Sequence, residues 1–248
     1  MIEIKHPHGT TTLWAPAELV LRGPADGNPF LDVTVSAIFT NGDETREVLG
    51  FYDGQDVYRL RFLPEIEGTW RYQTTSNLEV LDGLVGKLEV GPASGSDHGP
   101  VRVADTYDFR YANGNRYICI GTTAYAWNVQ GDAREEQTLA TLKDAPFTKI
   151  RMCVFPKHYR YNQNEPDCYP FALLAEGASK WPGTVADSGW EFDFDRPDPA
   201  YFQHLETRIR QLGDIGVEAD LILLHPYDRW GFSRMSAAQD DRYLRYLV

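Results

Sequence analysis

Three short stretches of this chain gather side chains that suit one kind of chemistry. Gly121-Thr122-Thr123-Ala124-Tyr125-Ala126-Trp127 ends in two aromatic rings. Ile150 through Phe155 is nearly unbroken apolar sequence and runs into Pro156, Lys157 and His158. Leu221 through Leu224 leads to His225, Pro226, Tyr227, Asp228, Arg229 and Trp230. Ring faces that can stack, set beside imidazoles and charged groups, suit a molecule with an apolar face and a hydroxyl-bearing edge, which describes a sugar ring. Any one of these residues could equally pack a loop. Their recurrence at three strand ends makes Tyr125, Trp127, Arg151, His158, His225, Tyr227 and Trp230 the candidate substrate-binding residues.

Arg151 belongs to that set for a different reason. With period two it faces the same way as Cys153 and Phe155, inside an otherwise apolar strand. A buried guanidinium needs an acceptor, because an unpaired buried charge is too costly. It is either a structural ion pair or a group that orients a catalytic carboxylate. His158, His225 and Asp228 offer a competing metal reading, but they come from different strands and lack the usual ligand spacing. Gly121-Thr122-Thr123 has neither the glycine spacing nor the lysine of a phosphate loop. No metal and no cofactor is expected, and no catalytic residue can be named.

The elements that must position these residues alternate. Glu135 to Ala145 and Tyr201 to Leu212 are predicted helices, the second with Phe202, Leu205, Ile209 and Leu212 at the 3.6 period. Glu218 to Leu224 is a further buried strand, and Asp240 to Leu247 begins a third helix. Strand, helix and strand in this order imply parallel βα units, as a doubly wound sheet or an eight-fold barrel. Function at the carboxyl ends of the strands favours the barrel. The segment from Tyr159 to Asp198 is too long for a plain connection and is read as an elaborated loop walling the cleft.

The preceding residues follow another rule. Asp32 to Ala37, Val57 to Phe62 and Trp70 to Thr74 alternate polar and apolar, and Leu84, Leu88 and Val90 share a face. Pro24 to Pro29, Asp53-Gly54 and Pro64 to Gly68 supply turns. Six or seven short strands at this spacing predict an immunoglobulin-like β-sandwich without its disulfide. Pro92 to Pro100 is a small, polar, Gly/Pro-rich linker. Asn113-Gly114 predicts a hairpin between Tyr107–Tyr111 and Arg116–Gly121. The expected organisation is multidomain: a sandwich over 1–95, then over 101–248 the first three βα units of a (β/α)8 barrel.

Composition limits the partners. Of 248 residues 42% are hydrophobic and 24% charged, as in an ordinary globular protein. Acidic residues number 36 against 24 basic, a net charge of −12. That argues against nucleic acid and anionic membranes, which need clustered Lys and Arg. Cys119, Cys153 and Cys168 cannot all pair, so free thiols in a reducing compartment are expected. Met1 to Pro7 shows no apolar h-region and no run of about 18 apolar residues exists. A cytoplasmic protein is the expectation.

The three stretches quoted first, with Lys149 before the second and Gly231-Phe232 after the third, resemble a bacterial family of glycoside hydrolases. Its members join an N-terminal immunoglobulin-like domain of unknown function to an apiosidase-like (β/α)8 barrel. Gly50-Phe51-Tyr52-Asp53-Gly54 and Gly68-Thr69-Trp70-Arg71-Tyr72 resemble the first of those domains. The resemblance implies a plant or microbial glycan, an oligosaccharide or glycoside, as substrate. It also implies a retaining mechanism, with an acid/base Glu after strand four and a nucleophile Glu after strand seven. A barrel takes about 250 residues, and roughly 140 follow the linker. The chain is therefore expected to be the N-terminal part of a retaining glycoside hydrolase, inactive alone, with catalytic carboxylates beyond residue 248. Glu165 and Asp228 are loop residues that the resemblance does not make catalytic. The alternative is a non-catalytic carbohydrate-binding protein. A structural module for protein contacts would leave His158, His225 and Trp230 unexplained.

Overall fold

A computed structural model describes residues 3–4, 9–95, 97–174, 191–226 and 229–248. The chain divides into two compact units, Met1–Ile118 and Cys119–Val248.

The first unit contains β1 (Glu3–Ile4), β2 (Thr10–Thr12), β3 (Ala17–Arg22), the single helical turn α1 (Pro29–Asp32), β4 (Val35–Asn41) and β5 (Glu44–Tyr52). It continues with β6 (Val57–Phe62), β7 (Gly68–Ser76), β8 (Val85–Gly91), β9 (Val101–Ala104) and β10 (Asp108–Tyr111). Period-two alternation decides which side chains go inward. In β7, Trp70, Tyr72 and Thr74 are buried and Arg71, Gln73 and Thr75 are exposed. Burying one face of each strand against a common core removes apolar surface from water at about 25 cal/mol per Å².

The expected sandwich is corrected here. The eight strands from β1 to β8 form one hydrogen-bonded sheet in the order β1-β3-β6-β5-β4-β7-β8-β2, mixed because β2 and β8 run parallel. A sandwich has two separate sheets. Here β5 belongs to both halves: Glu44 to Leu49 pair with β4, and Gly50 to Tyr52 pair with β6. Gly50 sits at the changeover because a Cβ there would lie 2.6 Å from Val35 Cγ1 and 3.0 Å from Leu60 Cγ. The continuous sheet folds over on itself. Phe39 of β4 and Phe62 of β6 stack at 4.2 Å, although β5 lies between their strands.

The expected hairpin around Asn113-Gly114 is present in short form: Arg110 and Arg116 bridge antiparallel, Tyr111 N–H donates to Asn115 O at 2.9 Å and Tyr117 N–H to Phe109 O at 3.1 Å. β10 also pairs with β9 around Asp105 and Thr106, both at positive φ. This ribbon belongs to the first unit.

The second unit contains β11 (Gly121–Thr123), α2 (Asp132–Lys143), β12 (Lys149–Cys153), β13 (Phe171–Leu173) and β14 (Phe192–Pro197). It ends with α3 (Pro199–Asp214), β15 (Glu218–Ile222) and α4 (Ala237–Leu247). α3 starts where Asp198 Oδ1 accepts the Ala200 N–H at 3.0 Å, with Pro199 in the first turn. Its buried Tyr201, Phe202, Leu205 and Leu212 follow one helical face. α4 opens on a reciprocal cap between Ser236 and Gln239. Ile150, Met152, Val154 and Phe155 pass through the core, which Trp230, Phe232 and Tyr243 complete.

The barrel part of the expected fold class is overturned as well. β11, β12 and β15 form an open three-stranded parallel sheet, and β13 and β14 form a separate antiparallel pair. The physical reason lies in β12, which is not buried on both faces. Ile150 and Met152 point into the core, whereas the Arg151 side chain is 57% exposed. No described helix is long and apolar enough to cross a membrane.

Candidate functional site

The second unit brings the three stretches together through its parallel register. Thr123, Arg151 and Asp220 are cross-strand partners, so β11, β12 and β15 run side by side and their following loops leave at one end. Cys153 N–H donates to the Tyr125 carbonyl at 2.8 Å, and Val154 N–H to Ile222 O at 3.0 Å, which extends the alignment beyond the strands.

After β11, Tyr125 is half-buried and the Lys157 ammonium lies 3.8 Å from its ring centroid. The same ammonium is 5.3 Å from the Tyr159 ring, so two rings from different loops flank one cation. Trp127 is placed otherwise. It is 4% exposed, and its indole N–H donates to Met152 Sδ at 3.2 Å. Its ring supports the wall from behind and offers no open face.

After β12, His158 is half-buried. Burial first, then the positive charge of Arg229, hold its imidazole below the ordinary histidine value, while Glu165 acts in the opposite direction. After β15, the His225 ring lies edge-on to Phe155, and its Nε2 is 3.4 Å from the Phe155 carbonyl oxygen. Tyr227 and Asp228 lie outside the described residues. Trp230 is 1% exposed and therefore packs in the core. Among the described residues no three His, Cys, Asp or Glu side chains converge as metal ligands.

Arg151 pairs with Asp220 at 2.8 Å on the exposed face of the sheet, beside a second cross-strand pair, Lys149 and Glu218, at 3.3 Å. Its acceptor is thus a neighbouring strand's carboxylate, and the expectation of a buried strand around it is corrected.

The residue that joins the loops is Glu165. Its Oε1 accepts the Trp230 indole N–H at 2.6 Å and the Tyr169 hydroxyl at 2.5 Å. Its Oε2 lies 3.3 Å from Arg229 Nη2, whose side chain is 7% exposed. Burial and the bond to Glu165 push the Tyr169 phenol well above its usual range. A carboxylate with three donors is held in one orientation, and it keeps a buried guanidinium paired beside His158. The sequence reads Glu165 only as a loop residue that the resemblance does not make catalytic. Its spacing of four from Tyr169 is the one local signal, and it is weak.

Comparison with known proteins adds the following. Residues 10–77 match the family described as Domain of unknown function (DUF5060). None of the curated proteins matches the chain. Among solved structures, the chain is similar to one described as a putative glycoside hydrolase from Bacteroides vulgatus ATCC 8482. The identity is 45% and the TM-score 0.90, covering 97% of this chain and 46% of that one. A family 39 glycoside hydrolase from Bacteroides cellulosilyticus WH2 matches at 12% identity and a TM-score of 0.27, over 90% of this chain and 34% of that one. The Lin-41 filamin domain matches at 17% identity and a TM-score of 0.27, over 37% of this chain and 93% of that one. Likenesses as distant as the last two carry no weight here. The chain thus spans about half the length of the Bacteroides vulgatus protein, and it is similar to that protein over nearly all of its own length.

Proposed function

We propose that the loops following β11, β12 and β15 bind a glycan, and that this binding serves a glycoside hydrolase that retains configuration. The observation that carries the reading is the joining of Tyr125, Lys157, His158, Glu165 and Arg229 at one end of a parallel sheet, in a chain 45% identical to a protein so described. Tyr125 and Tyr159 offer ring faces, Lys157 and His158 offer donors to hydroxyls, and His225 borders the same end. Tyr227 is assigned to this site with them, while Trp127 and Trp230 act as its backing.

Retention needs two carboxyls about 5 Å apart, one as acid and one as nucleophile. Glu165 already accepts from Trp230 and Tyr169 and pairs with Arg229, so it acts as a positioning residue. The catalytic pair is therefore assigned to residues outside this chain. The same engagement of Glu165 favours the second reading, a protein that binds glycan without cutting it. Three free thiols fit a reducing compartment for either.

The test uses a panel of nitrophenyl glycosides and a glycan array with this chain. Glycan binding without nitrophenol release is the expected result. Release would overturn the placement of the catalytic pair, and absence of any glycan binding would overturn the site itself.

A further inference from the structure

The first unit carries a second candidate site that does not depend on the reading above. The outer face of β4, β7 and β8 holds a groove of about 510 Å³, lined among others by Ile38, Thr40, Arg71, Gln73, Val85 and Lys87. The pairing register explains its contents. Arg71 and Lys87 are direct cross-strand partners, and so are Gln73 and Val85. On β4, Thr40 lies opposite Arg71 and Ile38 opposite Gln73. All of these side chains point away from the core, because Phe39, Trp70, Tyr72 and Leu88, which alternate with them, point into it.

Two features of this face call for an occupant. Cross-strand partners of like charge stand about 5 Å apart at Cβ and destabilise a sheet, yet here two cations are opposed in a chain of net charge −12. Lys87 has only a loose contact with Glu89, at 3.6 Å, while Glu89 is engaged by the Thr69 hydroxyl at 2.7 Å. Among the described residues the Arg71 guanidinium has no anionic partner. Beside the cations, Ile38 is 44% and Val85 68% exposed, an apolar strip next to a polar one.

We infer that this groove binds an acidic saccharide, with the carboxylate of a uronic acid unit between Arg71 and Lys87. The guanidinium fork matches a planar carboxylate in a bidentate pair. Gln73 and Thr40 then face ring hydroxyls, and Ile38 and Val85 cover the C–H face. Charge complementarity selects the ligand: a neutral sugar would leave Arg71 with no anion and Lys87 with only its loose contact to Glu89, and a bare anion would leave the apolar strip uncovered.

The experiment is calorimetric titration of the intact chain at low salt with an oligogalacturonate, a neutral cello-oligosaccharide of equal length, and inorganic sulfate. The oligogalacturonate is expected to bind at least tenfold more tightly than either of the others, and to weaken in 0.5 M sodium chloride as screened charges do. Arg71→Gln and Lys87→Gln should each weaken it at least tenfold without lowering the melting temperature, since each removes a like-charge repulsion. Glu165→Gln, in the other unit, should leave it unchanged. Equal binding of the neutral oligomer or of sulfate would overturn the inference, as would unaltered uronate binding in both groove variants. Loss of this binding in Glu165→Gln would move the ligand to the second unit and equally overturn it.

Discussion

The Trp230 indole donates to Glu165 Oε1 across 2.6 Å, joining two residues 65 positions apart and tying the loop after β15 to the loop after β12. The bond does more than hold a ring. It presents the second carboxylate oxygen to Arg229 at 3.3 Å, and Arg229 in turn sets the charge beside His158. Glu165→Ala should leave a nearly buried guanidinium and an indole N–H without this acceptor. Glu165 is itself 25% exposed, so the expected cost is moderated to about 2–3 kcal/mol. Urea unfolding measures it, and glycan binding by the second unit should fall with it. Glu165→Gln keeps an acceptor for Trp230 and should cost less; equal losses in both variants would show that the charge pair with Arg229 carries the whole contribution and the Trp230 bond none.

His158 should titrate below free histidine. Because its folded value is depressed, the neutral form is the one that folding favours. The stability it contributes is complete above the unfolded value and is lost as pH falls through the folded one. Arg229→Gln removes a cause of the depression and should raise the midpoint, whereas Glu165→Gln should lower it further. Imidazole proton shifts followed by NMR against pH decide this. An unmoved His158 midpoint in Arg229→Gln would contradict the arrangement.

The three thiols should react in order. Burial, opposed by Lys157, pushes Cys153 up to about 11. Burial together with the negative charges of Asp198, Asp167 and Glu135 pushes Cys168 up to about 11. Thiolate is the reactive species, so at pH 8 each is present as roughly one part in a thousand. Cys119 is exposed and free. Iodoacetamide mapped by mass spectrometry should label Cys119 first in the native protein and all three after denaturation. Early labelling of Cys153 would contradict its burial.

Arg208 and Glu135 fasten α3 to α2. The guanidinium is 5% exposed and lies 2.6 Å from Glu135, itself 1% exposed, with Glu136, Asp132 and Gln211 as further partners. His204 Nε2 adds a contact to Glu135 at 2.9 Å. Arg208→Ala leaves the buried Glu135 carboxylate without its guanidinium and should cost about 3–5 kcal/mol. Asp132 is 89% exposed, so Asp132→Ala should cost at most about 1 kcal/mol. Chemical denaturation of the two variants separates the contributions, and similar losses would contradict this division.

Much of the local structure is legible in the residues themselves. Val57 to Phe62 is a strand over the very residues whose alternation predicts it, and Tyr201 to Leu212 lies within α3. Period two and period 3.6 are properties of a few neighbours, as are the Asp198 cap and the Ser236–Gln239 box, so a short window carries them. Charge and cysteine content are likewise read directly.

Assembly is different. Whether eight strands make two sheets or one depends on β5, whose first six residues pair with β4 and last three with β6. Nothing in the alternation of Glu44 to Tyr52 records that change of partner. Gly50 permits the crossing only because Val35 and Leu60, neither of them a near neighbour in the chain, leave no room for a Cβ. The expectation of βα barrel units failed for a related reason: strand order and closure are set by hydrogen bonds between distant segments, whereas hydrophobic runs report only burial. Trp127 and Trp230 showed the correct residue type for a cleft, yet tertiary packing placed both in the core. Glu165, without any local signature, became the joint between two loops because a carboxylate's role is decided by the donors that the fold brings to it.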